Sequence, residues 1–292
     1  MKSTPMVCPD FLPADLACAL ADGQRFVTTN DGVSLVWHSW GALDRPTVVL
    51  LHGGSGSWTH WVRNIAPLQG AGWRVLVPDL PGFGDSDLPA GCSDVDGLPV
   101  HLHAGLQQLQ PAGPVALVGF SFGGMTAALW LEAYPQDAQQ LVLVGAPGMG
   151  FAVPERIPLK GWRHLPTPEA QAQVHRHNLM ALMLQTPEAL DGLALSLHTA
   201  NVQRDRMPRR RLSSTDIVAQ VLPKLQVPVS AIYGEHDALY RSRLPELQAA
   251  MQGWAPHWGQ WCTVPGAGHW VQYEAADAFN PALRAILTSQ LV

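Results

Sequence analysis

The chain is poor in charge and in cysteine. Charged residues occupy 14% of its 292 positions, against 47% for hydrophobic ones. So little solvating charge beside so much apolar surface excludes a disordered chain and predicts a large packed core. The 18 basic residues are outnumbered by 23 acidic ones, for a formal net charge of -5. That balance offers no basic stripe for a phosphate backbone, so nucleic acid is not an expected partner. Cys8, Cys18, Cys92 and Cys262 are scattered, with no CxxC pair, which fits free thiols better than a disulfide framework. No apolar run of membrane-spanning length occurs, and Pro5, Pro9, Asp10, Pro13 and Asp15 interrupt the N-terminal apolar patches. Neither a membrane span nor a secretory leader is therefore expected. The expectation is a cytoplasmic protein that acts on a small molecule without a membrane partner; a homo-oligomer is compatible with the sequence.

What the chain does have is a succession of short apolar runs. A hairpin is predicted from Arg25 to Trp40, turning at Asn30-Asp31-Gly32. TVVLL (47–51), WRVLV (73–77), VALVG (115–119), LVLVG (141–145) and VPVSAIYG (227–234) follow. Each is nearly continuous in apolar character, as expected of strands covered on both faces of a parallel sheet. Helix-compatible stretches lie between them at Trp58–Leu68, Val100–Leu109 and Met125–Tyr134. The alternation predicts an α/β fold with a mostly parallel central sheet flanked by helices. About eighty residues separate LVLVG from VPVSAIYG, far more than one crossover needs. The expected organisation is a core of residues 1–147 and 226–292 with a helical lid inserted at 148–225. Within that lid, Arg209-Arg210-Arg211 reads as a solvated surface.

Gly119-Phe120-Ser121-Phe122-Gly123 follows a strand and opens a helical segment, the context in which G-x-S-x-G forms a nucleophile elbow. Small residues on either side of the serine let strand and helix approach, and the helix N-terminus favours a developing anion. A serine hydroxyl needs a base, and the base needs an orienting acid. His269, in the loop Pro265-Gly266-Ala267-Gly268-His269-Trp270 after QWCTV, is the expected base. His257 reads as a structural or surface residue. The acid is expected in Gly234-Glu235-His236-Asp237, with Asp237 preferred and Glu235 as its rival. Asp79, Asp85 and Asp87 read as turn and cap residues. His52-Gly53-Gly54-Ser55-Gly56-Ser57, after TVVLL, is the expected oxyanion loop, with the amides of Gly54 and Phe122 as donors. The pairs His101/His103 and His175/His177 lack a carboxylate or cysteine cluster to complete a shell, so no metal and no cofactor is expected.

With these blocks in place, LLHGGSGSW, PDLPGFGDSD, GFSFGG, YGEHD and GAGHW resemble the α/β-hydrolase family in its own order, from about Arg25 to Leu291. The resemblance implies an eight-stranded sheet, a lid after the sixth strand, and a triad of Ser121, Asp237 and His269. A serine at the elbow disfavours the dehalogenase and epoxide hydrolase branches, which usually carry aspartate there. The tail GHWVQYEAADAFN resembles the C–C bond hydrolases that cleave meta-ring-fission products of aromatic compounds. By that resemblance an arginine, Arg204 or Arg206, holds the substrate's acid end. Phe120 stands where those enzymes commonly carry asparagine, and HGGSGS replaces their HGxGPG.

The resulting expectation is a serine hydrolase working through an acyl-enzyme on a hydrophobic ester or related carbonyl substrate. C–C hydrolysis of meta-cleavage products is the alternative. Trp58, Phe120 and Trp270, with Met180 and Met183 of the lid, are expected to line the pocket. A non-catalytic ligand-binding receptor is the reading from another class, and an apparently complete triad argues against it.

Overall fold

A computed structural model describes residues 3–110, 113–151 and 157–289. Residues 1–2, 111–112 and 290–292 of the expected core and 152–156 of the expected lid fall outside the described residues. Among the described residues nine strands form one sheet: β1 (Ser3–Pro5), β2 (Gln24–Asn30), β3 (Val33–Trp40), β4 (Thr47–Leu51), β5 (Arg74–Pro78), β6 (Val115–Phe120), β7 (Ala138–Val144), β8 (Val229–Gly234) and β9 (Trp258–Val264). Their spatial order is β1-β2-β3-β5-β4-β6-β7-β8-β9. The first three pair antiparallel, β3 joins β5 antiparallel, and every pairing from β5 to β9 is parallel. The β2–β3 hairpin turns through Asp31 (φ 50°) and Gly32 (φ 77°), which bring Asn30 opposite Val33, a turn whose twist matches that of the strands.

The helices are α1 (Ala14–Ala19), α2 (Ile65–Gly70), α3 (Pro99–Leu109), α4 (Phe122–Ala133), α5 (Pro168–Asn178), α6 (Gly192–Gln203), α7 (Ile217–Val221), α8 (Leu244–Trp254), α9 (Val271–Glu274) and α10 (Ala276–Thr288). None among the described residues is long and apolar enough to cross a membrane. The predicted helix over Trp58–Leu68 divides into a 3₁₀ turn at Trp58–Trp61 and the separate α2. Ser57 caps the first piece by accepting from the Thr59 amide. β1 and α1 were not expected. They are short, and all three β1 residues are exposed, so no apolar run announces them.

β4 through β8 each carry a run of three or more apolar residues, because helices cover both faces of the sheet. Alternate β4 residues feed two cores: Val49 and Leu51 point into one, Val48 and Leu50 into the other. Among its described residues, the long connection between β7 and β8 carries α5, α6 and α7. Thr167 caps α5 through the Ala170 amide, and α5 runs into a π-helical turn at Leu179–Met183. Asp191 caps α6 through the Ala194 amide at 2.6 Å.

One buried polar residue sits oddly in this core. His38 on β3 is packed against Trp40 and Trp58, and neither ring nitrogen meets a partner among the described residues. Burial, reinforced by the positive charge of Arg25, pushes its pKa down to about 3. The native ring therefore stays neutral where the unfolded chain already binds a proton, and stability falls as pH drops from about 6.5 towards 3. His52 and His198, both pushed to about 4 by burial, act in the same direction. Replacing His38 by Phe is expected to raise the melting temperature more at pH 5 than at pH 8. Equal shifts at the two pH values would mean that the ring is not held neutral.

Candidate active site

β4 is followed by β5 on one side of it and β6 by β7 on the other, so the strand order reverses between the neighbours β4 and β6, whose loops lie side by side at the carboxyl edge of the sheet, where α/β sheets bind ligands. Ser121 sits at the end of β6, with φ 52° and ψ -118°. A non-glycine residue there is strained by about 1–3 kcal/mol. The turn is held because its flanks are nearly in contact. A Cβ on Gly119 would come within 2.3 Å of the Gly123 carbonyl oxygen, and one on Gly123 within 2.4 Å of the Leu51 oxygen. The Ser121 amide continues the sheet ladder by donating to Val144 O at 2.8 Å.

The other two triad candidates come from the loops after β8 and β9. His269 Nε2 lies 3.0 Å from Ser121 Oγ, and its Nδ1 lies 2.9 and 3.0 Å from the Asp237 oxygens. Asp237 is fully buried and also accepts the Leu239 amide at 2.9 Å, which fixes the carboxylate plane. Its rival Glu235 points elsewhere, accepting from Gly266 N at 2.9 Å with its side chain 53% exposed. Tyr233 and Tyr240 both donate to Ala146 O, at 3.1 and 2.6 Å, and tie the loop after β8 to the one after β7. His257 is exposed and away from this cluster.

On the β4 side, His52 Nδ1 donates to Gly53 O at 2.8 Å and its Nε2 accepts from Leu80 N at 2.9 Å. This neutral imidazole pins the start of the oxyanion loop. The Phe122 amide, first in α4, has no intrahelical acceptor, and the Gly54 amide meets no acceptor among the described residues. Both are free to serve an oxyanion.

Asp79 receives the amides of Trp58 and Asp85 at 2.9 Å, while Asp87 accepts the Ser34 amide. The acids of PDLPGFGDSD thus organise turns. The histidine pairs also diverge: His101 meets Asn30 and His103 meets Asp137, while His175 packs in the interior and His177 bonds Pro158 O.

Phe120 is fully buried, 5.0 Å from the His269 ring and 5.6 Å from His60. Trp270 donates to His60 O and stacks on Tyr273. Trp58 packs against His38 and Trp40 in the core. Met183 is buried and its carbonyl accepts the Trp270 amide at 2.7 Å. Met180 instead lines a cavity of about 520 Å³ behind the His269 loop, bounded by Gly268, Glu235 and His236 and not reaching Ser121.

The lid arginines are engaged with partners that the sequence did not announce. Arg204 pairs with Asp85 at 2.7 Å on the surface, and Arg206 donates to the carbonyls of Phe83, Gly84 and Ser86. The donors of Arg206 serve the turn after β5, and Arg204 Nη1 is held there by Asp85. The run Arg209-Arg210-Arg211 is not uniformly solvated. Arg210 is 18% exposed at its side chain, pairs with Asp205, and lies over the rings of Phe83 and Phe122. Sequence reasoning also missed His60. Its Nδ1 accepts the Gly53 amide at 3.2 Å, so its proton sits on Nε2. Burial, aided by neighbouring His52, holds its pKa well below the usual imidazole range.

Comparison with known proteins agrees with this architecture. A family model described as the α/β-hydrolase fold matches residues 46–276. A 2-hydroxy-6-oxo-6-phenylhexa-2,4-dienoate hydrolase from Burkholderia cepacia is 30% identical over 287 residues, covering 88% of this chain and 93% of the relative. A 2-hydroxy-6-oxononadienedioate/2-hydroxy-6-oxononatrienedioate hydrolase from Comamonas testosteroni matches with the same identity and coverage. Among solved structures, a meta-cleavage product hydrolase from Pseudomonas fluorescens superposes with a TM-score of 0.73 at 23% identity, covering 90% of this chain and 97% of that one. A carboxylesterase from Bacillus subtilis reaches 0.75 at 18% identity, covering 94% and 95%. At these identities the two structures speak for the fold alone. With the family model spanning most of the chain and hydrolases among its relatives, the protein belongs to the α/β-hydrolase family and is an enzyme.

Proposed function

We propose that the protein is a serine hydrolase in which Ser121 attacks a carbonyl, His269 takes and returns the proton, and Asp237 orients the imidazole. The observation that carries this reading is the continuous relay from Asp237 through His269 to Ser121, with contacts of 2.9 and 3.0 Å at a strained elbow. A carboxylate on Nδ1 holds the tautomer whose Nε2 accepts the serine proton and stabilises the imidazolium that forms. The oxyanion falls to the Gly54 and Phe122 amides. His269 then protonates the leaving group, and water deacylates the enzyme with the same residue as base. The helical segment between β7 and β8 acts as a lid over this crevice.

For the substrate we propose a conjugated dienoate of the meta-cleavage class, cleaved at its C–C bond. The names of the two 30%-identical relatives support this. Conjugation is what makes the chemistry accessible, because the departing carbanion is delocalised over the dienoate. A second reading, hydrolysis of a hydrophobic ester, is favoured by two features of the site: Arg204 and Arg206 are engaged elsewhere, and the residue before the nucleophile is the apolar Phe120.

A substrate panel separates the two. Faster turnover of a 2-hydroxy-6-oxo-dienoate than of p-nitrophenyl esters upholds C–C cleavage, and the reverse order upholds the esterase. In either case a fluorophosphonate is expected to label one serine, and Ser121→Ala is expected to abolish labelling and lower kcat by at least about 10³-fold. Unchanged turnover in that variant removes Ser121 from the mechanism. The two carboxylates of the β8 loop are separated by Asp237→Asn, expected to lower kcat by about 10³-fold or more, and by Glu235→Gln, expected to stay within about threefold of wild type. A large loss in the second and none in the first would reverse the assignment.

A further inference from the structure

Ser55, next to the Gly54 donor, has φ 52°, the left-handed region that a serine rarely adopts and holds only when its surroundings impose it. What surrounds it comes from far along the chain. Ser55 Oγ donates to Asp205 Oδ2 at 2.5 Å and accepts from Arg210 Nη2 at 3.0 Å. Arg210 Nη1 closes the triangle on Asp205, at 2.9 and 3.1 Å. The guanidinium also lies against Gly54: a Cβ there would sit 3.2 Å from Arg210 Nε and Nη2. Asn201 holds the rest of the loop, accepting from Ser57 Oγ at 2.7 Å and donating to Thr59 Oγ1 at 3.0 Å. Asp205 is 7% exposed at its side chain, so this is a desolvated ion pair with a hydroxyl built into it and not a surface contact.

We propose that Asp205 and Arg210 are positioning residues for the oxyanion hole. They hold Ser55 in its left-handed conformation and thereby keep the Gly54 amide turned into the crevice. The hole is completed by the segment between β7 and β8, not by the β4 loop alone. This assignment rests on the reading of Ser121 as nucleophile and Gly54 as donor.

The test uses p-nitrophenyl acetate turnover and the second-order rate of fluorophosphonate labelling, both of which place charge on the same oxygen site. Removing one oxyanion donor outright lowers kcat by about 10²–10³-fold, so a donor left in place but no longer held is expected to lose less. Asp205→Asn and Arg210→Met are each expected to lower kcat and the labelling rate by about 10–100-fold, with KM within about threefold. Glycine adopts positive φ without steric cost. Adding Ser55→Gly to Asp205→Asn is therefore expected to bring both rates back to within about threefold of wild type. A variant that had merely lost packing or charge would not recover in this way. Wild-type rates in Asp205→Asn and Arg210→Met, or a loss that Ser55→Gly fails to reverse, overturn the proposal while leaving the triad intact. Failure of the wild type itself to be labelled removes the nucleophile, and the oxyanion assignment with it.

Discussion

The close contact between Gly119 and Gly123 across the Ser121 turn is the constraint around which the site is arranged. A residue with φ 52° and ψ -118° survives only where strand and helix trap it. The trap here is the approach of β6 to α4 and of α4 to the end of β4, at distances no side chain would allow. From it follows the position of the serine hydroxyl and of the unpaired Phe122 amide. The parallel pairing of β4 with β6 brings the loop that carries Gly54 alongside. The loops after β8 and β9 then need only bring an acid and a base to a place already defined.

Those two loops are themselves stitched together. The His236 amide donates to Ala267 O, the Glu235 amide to Val264 O, and Gly266 N to the Glu235 carboxylate. Glu235 thus supports the histidine loop by its hydrogen bond, whereas Asp237 does so by charge at the ring. Two carboxylates two residues apart have acquired different work because one is buried and the other half in water.

That division explains what the sequence could and could not convey. The strands 47–51, 115–119 and 227–234 were legible because full burial leaves an unbroken apolar run, and the elbow because its glycines are sterically obligatory. The hairpin was legible from its turn. Asp237 over Glu235 was legible only as a preference, since the choice depends on how one short loop folds back onto β9. Arg210 was misread for a related reason. Three consecutive arginines look solvated, and the partners that bury the middle one, Asp205 and Ser55, lie 5 and 155 residues away. The partners of Arg204 and Arg206 were not legible because a guanidinium that satisfies a carboxylate or backbone carbonyls has the same sequence signature as one that awaits a ligand. His60 hid within a tryptophan-rich stretch that reads as core.

Glu274 accepts the Gly268 amide at 2.7 Å and, with its other oxygen, the amides of Gln185 and Thr186 at 2.9 and 2.8 Å. One carboxylate therefore clasps the end of the π-helical turn to the loop that carries His269, and Trp270 N adds a bond to Met183 O. At its far end the same insertion is fastened to the β4 loop through Asn201 and Asp205. The insertion is thus tied to the site at two separate places. A substitution at either fastening point would therefore be felt in the histidine loop or in the β4 loop, so residues remote in sequence from Ser121 share in setting the shape of the site.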